Sequence, residues 1–162
     1  MAEHKKLDEF FDLDIEILKK LSVDGRISLR RLARDLGNRS PVTIKKHVEE
    51  MEEKGIIKDY GVQIDYEELG YKIIALIEIT VSKGKMLDVE KKIAQNPNVF
   101  AVYDITGTYD ALILARFKKR AKLSEMIKNV IHASPYVERS NTHIVLNVIK
   151  EKNSFTELMT KD

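Results

Sequence analysis

The hydrophobic pattern of the first third of the chain predicts three helices, each bounded by residues that start or stop helices. The first follows Asp12 as its N-cap and ends at Asp24-Gly25, while the residues before it are polar. The second is expected over about 28–37 and the third over about 40–55. Two capped helices joined by a short turn are typical of a helix-turn-helix, with the first helix packed behind them.

The third helix has a mixed surface, which separates a core side from a solvent side. Its apolar residues Val42, Ile44, Val48 and Met51 are assigned to the core. The polar residues of its N-terminal half then face solvent, where the second helix of a helix-turn-helix meets base edges in the major groove. These polar residues are Thr43, Lys45, Lys46 and His47.

Positive charge is concentrated around the same helices. Residues 25–48 carry seven lysines and arginines against one acidic residue, Asp35, a local net charge of +6, whereas the whole chain has a formal net charge of +2. Such a local excess favours contact with phosphates, although a basic helix face is more often simply solvated. Glutamates at 49, 50, 52 and 53 would repel phosphates, so we expect them to face away from DNA.

The second half of the chain alternates elements in the order strand, helix, strand, strand, helix, strand. It also repeats weakly, since Pro97-Asn98-Val99 recurs as Pro135-Tyr136-Val137 at an offset of 38 residues (135 − 97). Two such units predict an α+β protein, an N-terminal winged helix-turn-helix followed by a ferredoxin-like βαββαβ domain. The expected strands are 72–82, 99–106, 111–117 and 137–148, and the expected helices are 86–95 and 121–133.

The segment between the two halves, IIKDYGVQID after Gly55, is rich in β-branched and aromatic residues. It predicts a strand that leaves the helical module. The predicted domains are a helix-turn-helix domain over 1–60, a connecting strand and linker over 61–70, the sheet domain over 71–150 and a C-terminal tail over 151–162.

A four-stranded sheet with both helices on one face leaves its other face uncovered. That face carries either Ile77, Ile79 and Val81 or their neighbours, because side chains alternate along a strand. Contiguous exposed apolar patches usually mark interfaces, so we expect at least a dimer.

The composition excludes several classes of site. The chain has no cysteine, which removes disulfides, thiol nucleophiles and zinc sites built on thiolates. Its four histidines, His4, His47, His132 and His143, lack the close helical spacing of metal ligands, so no metal and no cofactor is expected. No apolar run reaches the length of a membrane span and no secretion signal begins the chain, so we expect a cytoplasmic protein without a membrane partner.

The order of these parts resembles the Lrp/AsnC family of transcriptional regulators, also called feast/famine regulators. Matching segments are LDIEIL, DGRISLRRLA, GIIKDY and ITGTYDALI, and the resemblance covers about residues 13–149. It implies a bacterial or archaeal transcription factor, not an enzyme, whose partner is double-stranded DNA. It also implies dimers formed through the sheet domain, octamers or larger particles, and a small effector, commonly an amino acid, bound between dimers.

The resemblance assigns DNA contacts to residues that match the family's recognition helix and the segments before it. The family commonly has an arginine near the position of His47, and this chain has none there. The resemblance therefore does not define which base is contacted at that position. The implied contacts are Ser40, Thr43, Lys45, Lys46 and His47 in the recognition helix, Arg39 in the turn beside it, and Arg26 and Ser28 as phosphate contacts.

The loop after the second strand of the sheet domain is the candidate effector site. Gly107 permits a tight turn with exposed backbone amides that suit a ligand carboxylate, while carboxylates at Asp104 and Asp110 suit an ammonium group. An α-amino acid carries both charges. The alternative is an ordinary hairpin turn in which Asp110 bonds backbone amides.

The family's effector loop has a glycine followed three residues later by an aspartate, which Gly107 and Asp110 match. The resemblance therefore extends the candidate site to the residues around this pair. The candidate effector contacts are Tyr103, Asp104, Thr106, Gly107, Thr108, Tyr109 and Asp110, with Ser134, Glu138, Asn141 and Thr142 of the second repeat as further candidates.

Two other functions stay open on the sequence alone. An architectural protein would bind DNA through the same helices without choosing its sequence. Some haem-pathway enzymes that decarboxylate sirohaem resemble the same two-domain arrangement, in which case His132 or His143 would face a tetrapyrrole.

Overall fold

The computed structural model of the protein describes residues 2–82, 84–151 and 158, without the side chains of residues 2–11. The chain divides into two compact units, of which Ile64–Ile149 is the second. The predicted C-terminal tail, 151–162, lies mostly outside the described residues. Among the described residues, no helix is long and apolar enough to cross a bilayer.

The N-terminal unit contains three helices, α1 (Ala2–Val23), α2 (Leu29–Asp35) and α3 (Pro41–Glu53). The first helix begins at Ala2 and not at Asp12 as predicted, because the charged, straight-chain residues before Asp12 are themselves good helix formers. The core between the helices is built on side chains that are almost fully buried, Ile17, Leu32, Ile44 and Met51.

The turn between α2 and α3 is formed by residues with unusual backbone angles. Gly37 has φ +87° and Asn38 has φ +55°, in the left-handed region that glycine and asparagine tolerate best. Each helix begins with the predicted cap: Ser28 Oγ accepts from the Arg31 amide at 3.2 Å, and Ser40 Oγ accepts from the Val42 amide at 3.2 Å. The start of α3 is therefore fixed by its own sequence.

The strand predicted after Gly55 is absent. The amides of Ile56 and Ile57 both donate to the Met51 carbonyl, at 2.9 and 3.1 Å, and the described residues from there to Lys72 form no strand. The prediction was wrong because strand propensity reports how side chains fit a sheet, whereas a strand also needs a neighbour for its backbone hydrogen bonds.

The second unit is a four-stranded antiparallel sheet with order β2-β3-β1-β4, which confirms the predicted ferredoxin-like fold. The strands β2 and β4 stop earlier than predicted, and the last helix continues for one turn as a π-helix. The elements are β1 (Ile73–Val81), α4 (Met86–Ala94), β2 (Val99–Asp104), β3 (Ala111–Phe117), α5 (Arg120–Met126) with its π-helical extension Ile127–Ile131, and β4 (Val137–Ile144).

The two faces of this sheet have different surroundings. The side chains of Ile77, Ile79 and Ile113 are fully buried in one core with residues of α4 and α5. Their neighbours Leu76 and Leu114 point to the opposite face and are only half-buried, whereas the buried residues of α4 and α5 join the core on the first face. The structure thus decides the alternative left by the sequence: the neighbours of Ile77 and Ile79 form the open face.

Two residues of α4 test this division between core and surface. Ile93 is 1% exposed and Leu87 is 61% exposed. We expect Ile93→Ala to lower the free energy of unfolding by about 2–5 kcal/mol, because it removes buried methylenes and leaves a cavity. Leu87→Ala is the matched control and should change it by less than about 0.5 kcal/mol. Chemical denaturation monitored by circular dichroism measures both, and equal losses would contradict the assigned core.

Candidate functional site

The solvent face of α3 carries the polar residues predicted for its N-terminal half. Thr43 is exposed, and the side chains of Lys45 and Lys46 are 59% and 74% exposed. These three side chains are therefore free of the hydrophobic core and can reach a nucleic acid laid along the N-terminal half of the helix.

Glutamates one turn further along α3 pair with these lysines. Lys45 Nζ lies 3.3 Å from Glu49 Oε1, and Lys46 Nζ lies 3.7 Å from Glu50 Oε1. The glutamates were expected to face away from DNA, but Glu49 and Glu50 lie on the same side of α3 as the lysines, because residues four apart share one side of a helix. Exposed pairs of this kind contribute about 1 kcal/mol at most, so a phosphate can displace the carboxylate.

His47 does not lie on the solvent face. Its Nδ1 is 2.7 Å from Asp14 Oδ1 of α1, and both residues are 8% exposed. The prediction that His47 contacts DNA was wrong, since it follows Ile44 by three residues and precedes Met51 by four, which places it on the buried stripe. His47 instead joins α3 to α1.

Val42 is the opposite case, because it was assigned to the core and is 76% exposed. Residues two apart on a helix point about 200° away from each other, so Val42 cannot share a side with the buried Ile44. The spacing from Ile44, Val48 and Met51 was the signal that would have identified Val42 as a surface residue.

The remaining predicted DNA contacts lie around the turn. Ser28 and Ser40 use their hydroxyl oxygens as helix caps, which leaves each hydroxyl hydrogen available as a donor to phosphate. Arg26 is exposed, and its amide donates to Asp24 Oδ1 at 3.0 Å. Arg39 is exposed and lines a surface cavity of about 600 Å³ together with acidic residues of α1 and α2, namely Asp12, Glu16 and Asp35.

The candidate effector loop connects β2 to β3, and Asp110 closes it. The amide of Val81 donates to Asp110 Oδ2 at 2.8 Å, at the point where the pairing of β1 with β4 shifts register. The Asp110 amide donates to the Ile79 carbonyl at 2.9 Å, and its carbonyl accepts from the Ile105 amide at 2.8 Å. Asp110 therefore has the structural role that the hairpin alternative gave it, with one carboxylate oxygen occupied by the backbone.

The tip of the loop is open to solvent. Thr106, Gly107 and Thr108 are exposed, and Gly107 has φ +130°. Within the described part of the chain, the amides from Thr106 to Tyr109 donate no hydrogen bond. Exposed amides grouped in a tight turn are suited to binding an anion such as a carboxylate.

A pair of carboxylates lies beside the loop. Burial, and secondly the nearby charge of Asp104, raise the pKa of the Glu90 carboxyl on α4. Glu90 Oε1 is buried and has no hydrogen-bond partner among the described residues. Tyr103, by contrast, pairs with Leu112 and points to the open face, so Tyr103 and Asp104 flank β2 on opposite sides.

The further candidates from the second repeat are divided between surfaces. Ser134 is 7% exposed, and its Oγ accepts from the Tyr136 amide at 3.4 Å, which makes it part of a turn. Glu138 is exposed at the start of β4. Asn141 and Thr142 point to opposite faces of β4, and Asn141 Nδ2 donates to Glu78 Oε2 at 3.1 Å on the open face. These four residues therefore do not surround one space in this chain.

The histidines of the sheet unit bond to neighbouring side chains. His132 Nε2 lies 2.8 Å from Ser140 Oγ, and His143 Nε2 lies 3.1 Å from Glu78 Oε2 and 2.8 Å from Asn141 Nδ2. No group of three or more metal-ligating side chains is present among the residues whose positions are described.

Comparison with known proteins assigns a family to both units. A profile described as a winged helix-turn-helix DNA-binding domain matches residues 11–58, and one described as the Lrp/AsnC ligand-binding domain matches residues 74–155. An uncharacterised HTH-type transcriptional regulator of Pyrococcus furiosus is 37% identical over 143 residues, which cover 88% of this chain and 95% of that protein.

Solved structures agree with the profiles. AsnC of E. coli superposes with a TM-score of 0.83 at 27% identity, covering 88% of this chain and 96% of AsnC. A transcriptional regulator from Neisseria meningitidis, solved in complex with L-methionine, superposes with a TM-score of 0.79 at 24% identity, covering 88% of this chain and 93% of that one.

The buried bond between α1 and α3 is tested by removing one partner. We expect His47→Ala to lower the free energy of unfolding by about 1–3 kcal/mol, because the Asp14 carboxylate loses its partner while still buried. Lys46→Ala, one residue away and exposed, should change it by less than about 0.5 kcal/mol. The double variant Asp14→Leu/His47→Leu should regain part of the loss in denaturant unfolding, since no buried polar group is left unpaired. A double variant less stable than His47→Ala would contradict this account.

Proposed function

Because this chain belongs to the Lrp/AsnC family of helix-turn-helix transcriptional regulators, we propose that it binds specific DNA sequences and changes their occupancy when an amino acid binds its sheet domain. The observation that carries the DNA-binding half is the capped α3 with its exposed, basic N-terminal half. The observation that carries the effector half is the loop with free amides beside two carboxylates.

For DNA, the proposed arrangement inserts the N-terminal half of α3 into a major groove. Lys45 and Lys46 exchange their glutamate partners for phosphate or base acceptors, and Thr43 has both a donor and an acceptor for a base edge. The hydroxyls of Ser28 and Ser40 and the guanidiniums of Arg26 and Arg39 supply contacts to phosphates on either side.

For the effector, the loop amides from Thr106 to Tyr109 bind the carboxylate of an amino acid. The ammonium group binds between Asp104 and Glu90, where its positive charge offsets the two causes of the raised pKa of Glu90, first burial and then the nearby charge of Asp104. The regulator from Neisseria meningitidis that binds L-methionine has the same fold, and it supports an amino acid as the class of effector.

Assembly is part of the same proposal. The open face of the sheet pairs two copies into a dimer, because its half-buried leucines need a partner of the same apolar character. Dimers then join into octamers or larger particles. An effector that binds between dimers favours one assembly over another, which alters how many recognition helices reach adjacent DNA sites.

We also propose that the protein has no enzymatic activity and acts in the cytoplasm, where bacterial and archaeal DNA lies. His132 and His143 are already bonded to Ser140, Glu78 and Asn141, and neither sits as an isolated haem ligand. A purified protein that binds sirohaem and decarboxylates it would overturn this part of the proposal.

DNA binding is tested by fluorescence anisotropy on DNA from upstream of the protein's own gene and on random DNA, at several salt concentrations. We expect tighter binding to the upstream DNA and a steep fall in affinity with salt, because phosphate contacts release counterions. Lys46→Ala should reduce the salt slope by about 0.9 if the lysine contacts one phosphate.

Lys92→Ala on α4 is the matched control, because it removes the same charge from an exposed site in the other unit. Its slope should equal that of the unmodified protein. Equal affinity for upstream and random DNA would contradict a sequence-specific regulator and favour an architectural protein. Equal salt slopes for the two variants would show that Lys46 does not contact DNA.

Effector binding is tested by calorimetric titration of the full-length protein with each of the twenty amino acids. We expect Asp104→Asn to weaken binding of the best amino acid by about 1.5–3 kcal/mol, roughly tenfold or more in Kd, because the ammonium loses a charged partner. Asp88→Asn on α4 is the control, since Asp88 pairs with Lys85 at 3.8 Å and should leave Kd unchanged. Identical Kd values for the two variants would show that Asp104 does not bind the effector.

A further inference from the structure

Val42 is the most exposed large apolar side chain of α3. It follows Pro41 in the first turn of the helix and is 76% exposed, whereas Ile44 two residues later is fully buried. The apolar core of the N-terminal unit does not include it. Val42 therefore contributes little buried apolar surface to the core of this unit.

The helical periodicity of α3 identifies the residues that lie on the same side of the helix as Val42. Residues three, four and seven positions later lie within about 60° of it around the helix axis. Those residues are Lys45, Lys46 and Glu49, all of them exposed. Val42 therefore lies on the same outward stripe as the lysines, one turn closer to the N-terminus.

The chemistry of the major groove then restricts what Val42 can contact. A second helix of this motif presents its N-terminal residues to base edges. Valine has no donor or acceptor, and the apolar group that the four bases display in the major groove is the C5-methyl of thymine. Its branched side chain holds one strongly preferred rotamer in a helix, so little rotamer entropy is lost on contact.

We propose that Val42 is a specificity-determining residue that reads the methyl group of a thymine in each half-site. The inference rests on the proposed DNA binding and adds to it a base identity that the lysines do not supply. It assigns Val42 one chemical partner, the thymine methyl group, and this methyl group can be removed from one base at a time.

The charges on α3 limit which of its other residues can contact bases, so the sequence specificity depends more strongly on the contact between Val42 and thymine. Lys45 and Lys46 are each within ion-pair distance of a glutamate, and the glutamates at 49 and 53 follow Val42 along the same stripe at intervals of seven and eleven residues. Those carboxylates repel phosphates and base acceptors, which confines base contacts to the first two turns of α3. Pro41, Val42 and Thr43 are the exposed, uncharged residues in those turns.

The test begins with a binding site selected from a random duplex pool by the full-length protein. Each thymine of the selected site is then replaced singly by deoxyuridine, which removes the methyl group and keeps every hydrogen-bonding group of the base edge. Fluorescence anisotropy gives the Kd of each duplex for the unmodified protein, for Val42→Ala and for Val23→Ala.

We expect the unmodified protein to lose affinity at one thymine in each half-site by about fourfold, the equivalent of about 0.8 kcal/mol for one buried methyl group. Val42→Ala should bind the thymine site more weakly from the outset and show no further loss with deoxyuridine at that position. The variant should fold, because alanine has a higher helix propensity than valine.

Val23→Ala is the matched control, since Val23 is 88% exposed at the end of α1 and undergoes the same side-chain change. It should behave like the unmodified protein on every duplex. Equal losses in the unmodified protein and in Val42→Ala would assign the methyl effect to DNA deformability and overturn the proposal.

Three other results would also overturn the inference about Val42. One is a selected site in which no deoxyuridine changes Kd. Another is a Val42→Ala variant that changes the sedimentation of the protein while keeping the full deoxyuridine effect, which would make Val42 a contact between copies. The third is a protein that selects no sequence at all, and this result alone would also remove the sequence-specific function proposed above.

Discussion

The rotation of α3 about its own axis decides what the N-terminal unit offers to a partner, and two kinds of contact set it. Ile44 and Met51 are fully buried, and the hydrogen bond of 2.7 Å from His47 to Asp14 lies on the same side. A helix with three inward positions in phase has one possible outward face. The buried pair adds direction to apolar packing, because a hydrogen bond tolerates far less rotation than a contact between methyl groups.

In the sheet unit the corresponding constraint is the two-residue period of β1. Its buried isoleucines join the core under α4 and α5, which forces the residues between them onto the open face. The same strand accepts the Asp110 amide at Ile79 and donates to the Asp110 carboxylate from Val81, so β1 holds one end of the effector loop. The core, the open face and the loop thus depend on one register.

The charged side chains at the two candidate sites are placed so that they can bind a partner of opposite charge. The lysines of α3 are paired with carboxylates that they can leave, while Glu90 and Asp104 are held close enough that burial and mutual repulsion raise the pKa of Glu90. Both arrangements favour an added partner of opposite charge: phosphate for the lysines and an ammonium group for the carboxylates. The lysine pairs store little energy in the unbound protein, because exposed ion pairs interact weakly in water.

Local sequence signals were sufficient for much of the structure. The caps Ser28 and Ser40, the alternation along β1 and the order βαββαβ each depend on a few neighbouring residues, and each was predicted correctly. The weak repeat at an offset of 38 residues also indicated the fold of the second half. The family resemblance added the roles of the two domains, and the profiles of a DNA-binding and a ligand-binding domain agree with those roles.

Only the tertiary structure decided which side chains of each element contact distant parts of the chain. The spacing from Ile44 and Met51 would have placed Val42 and His47, but the buried partner of His47 is Asp14 of α1, more than thirty positions away in the chain, and no local pattern indicates that pair. The segment after Gly55 has the composition of a strand and no neighbouring strand to pair with. Composition and spacing determined the elements, and contacts between distant residues determined the faces that those elements present.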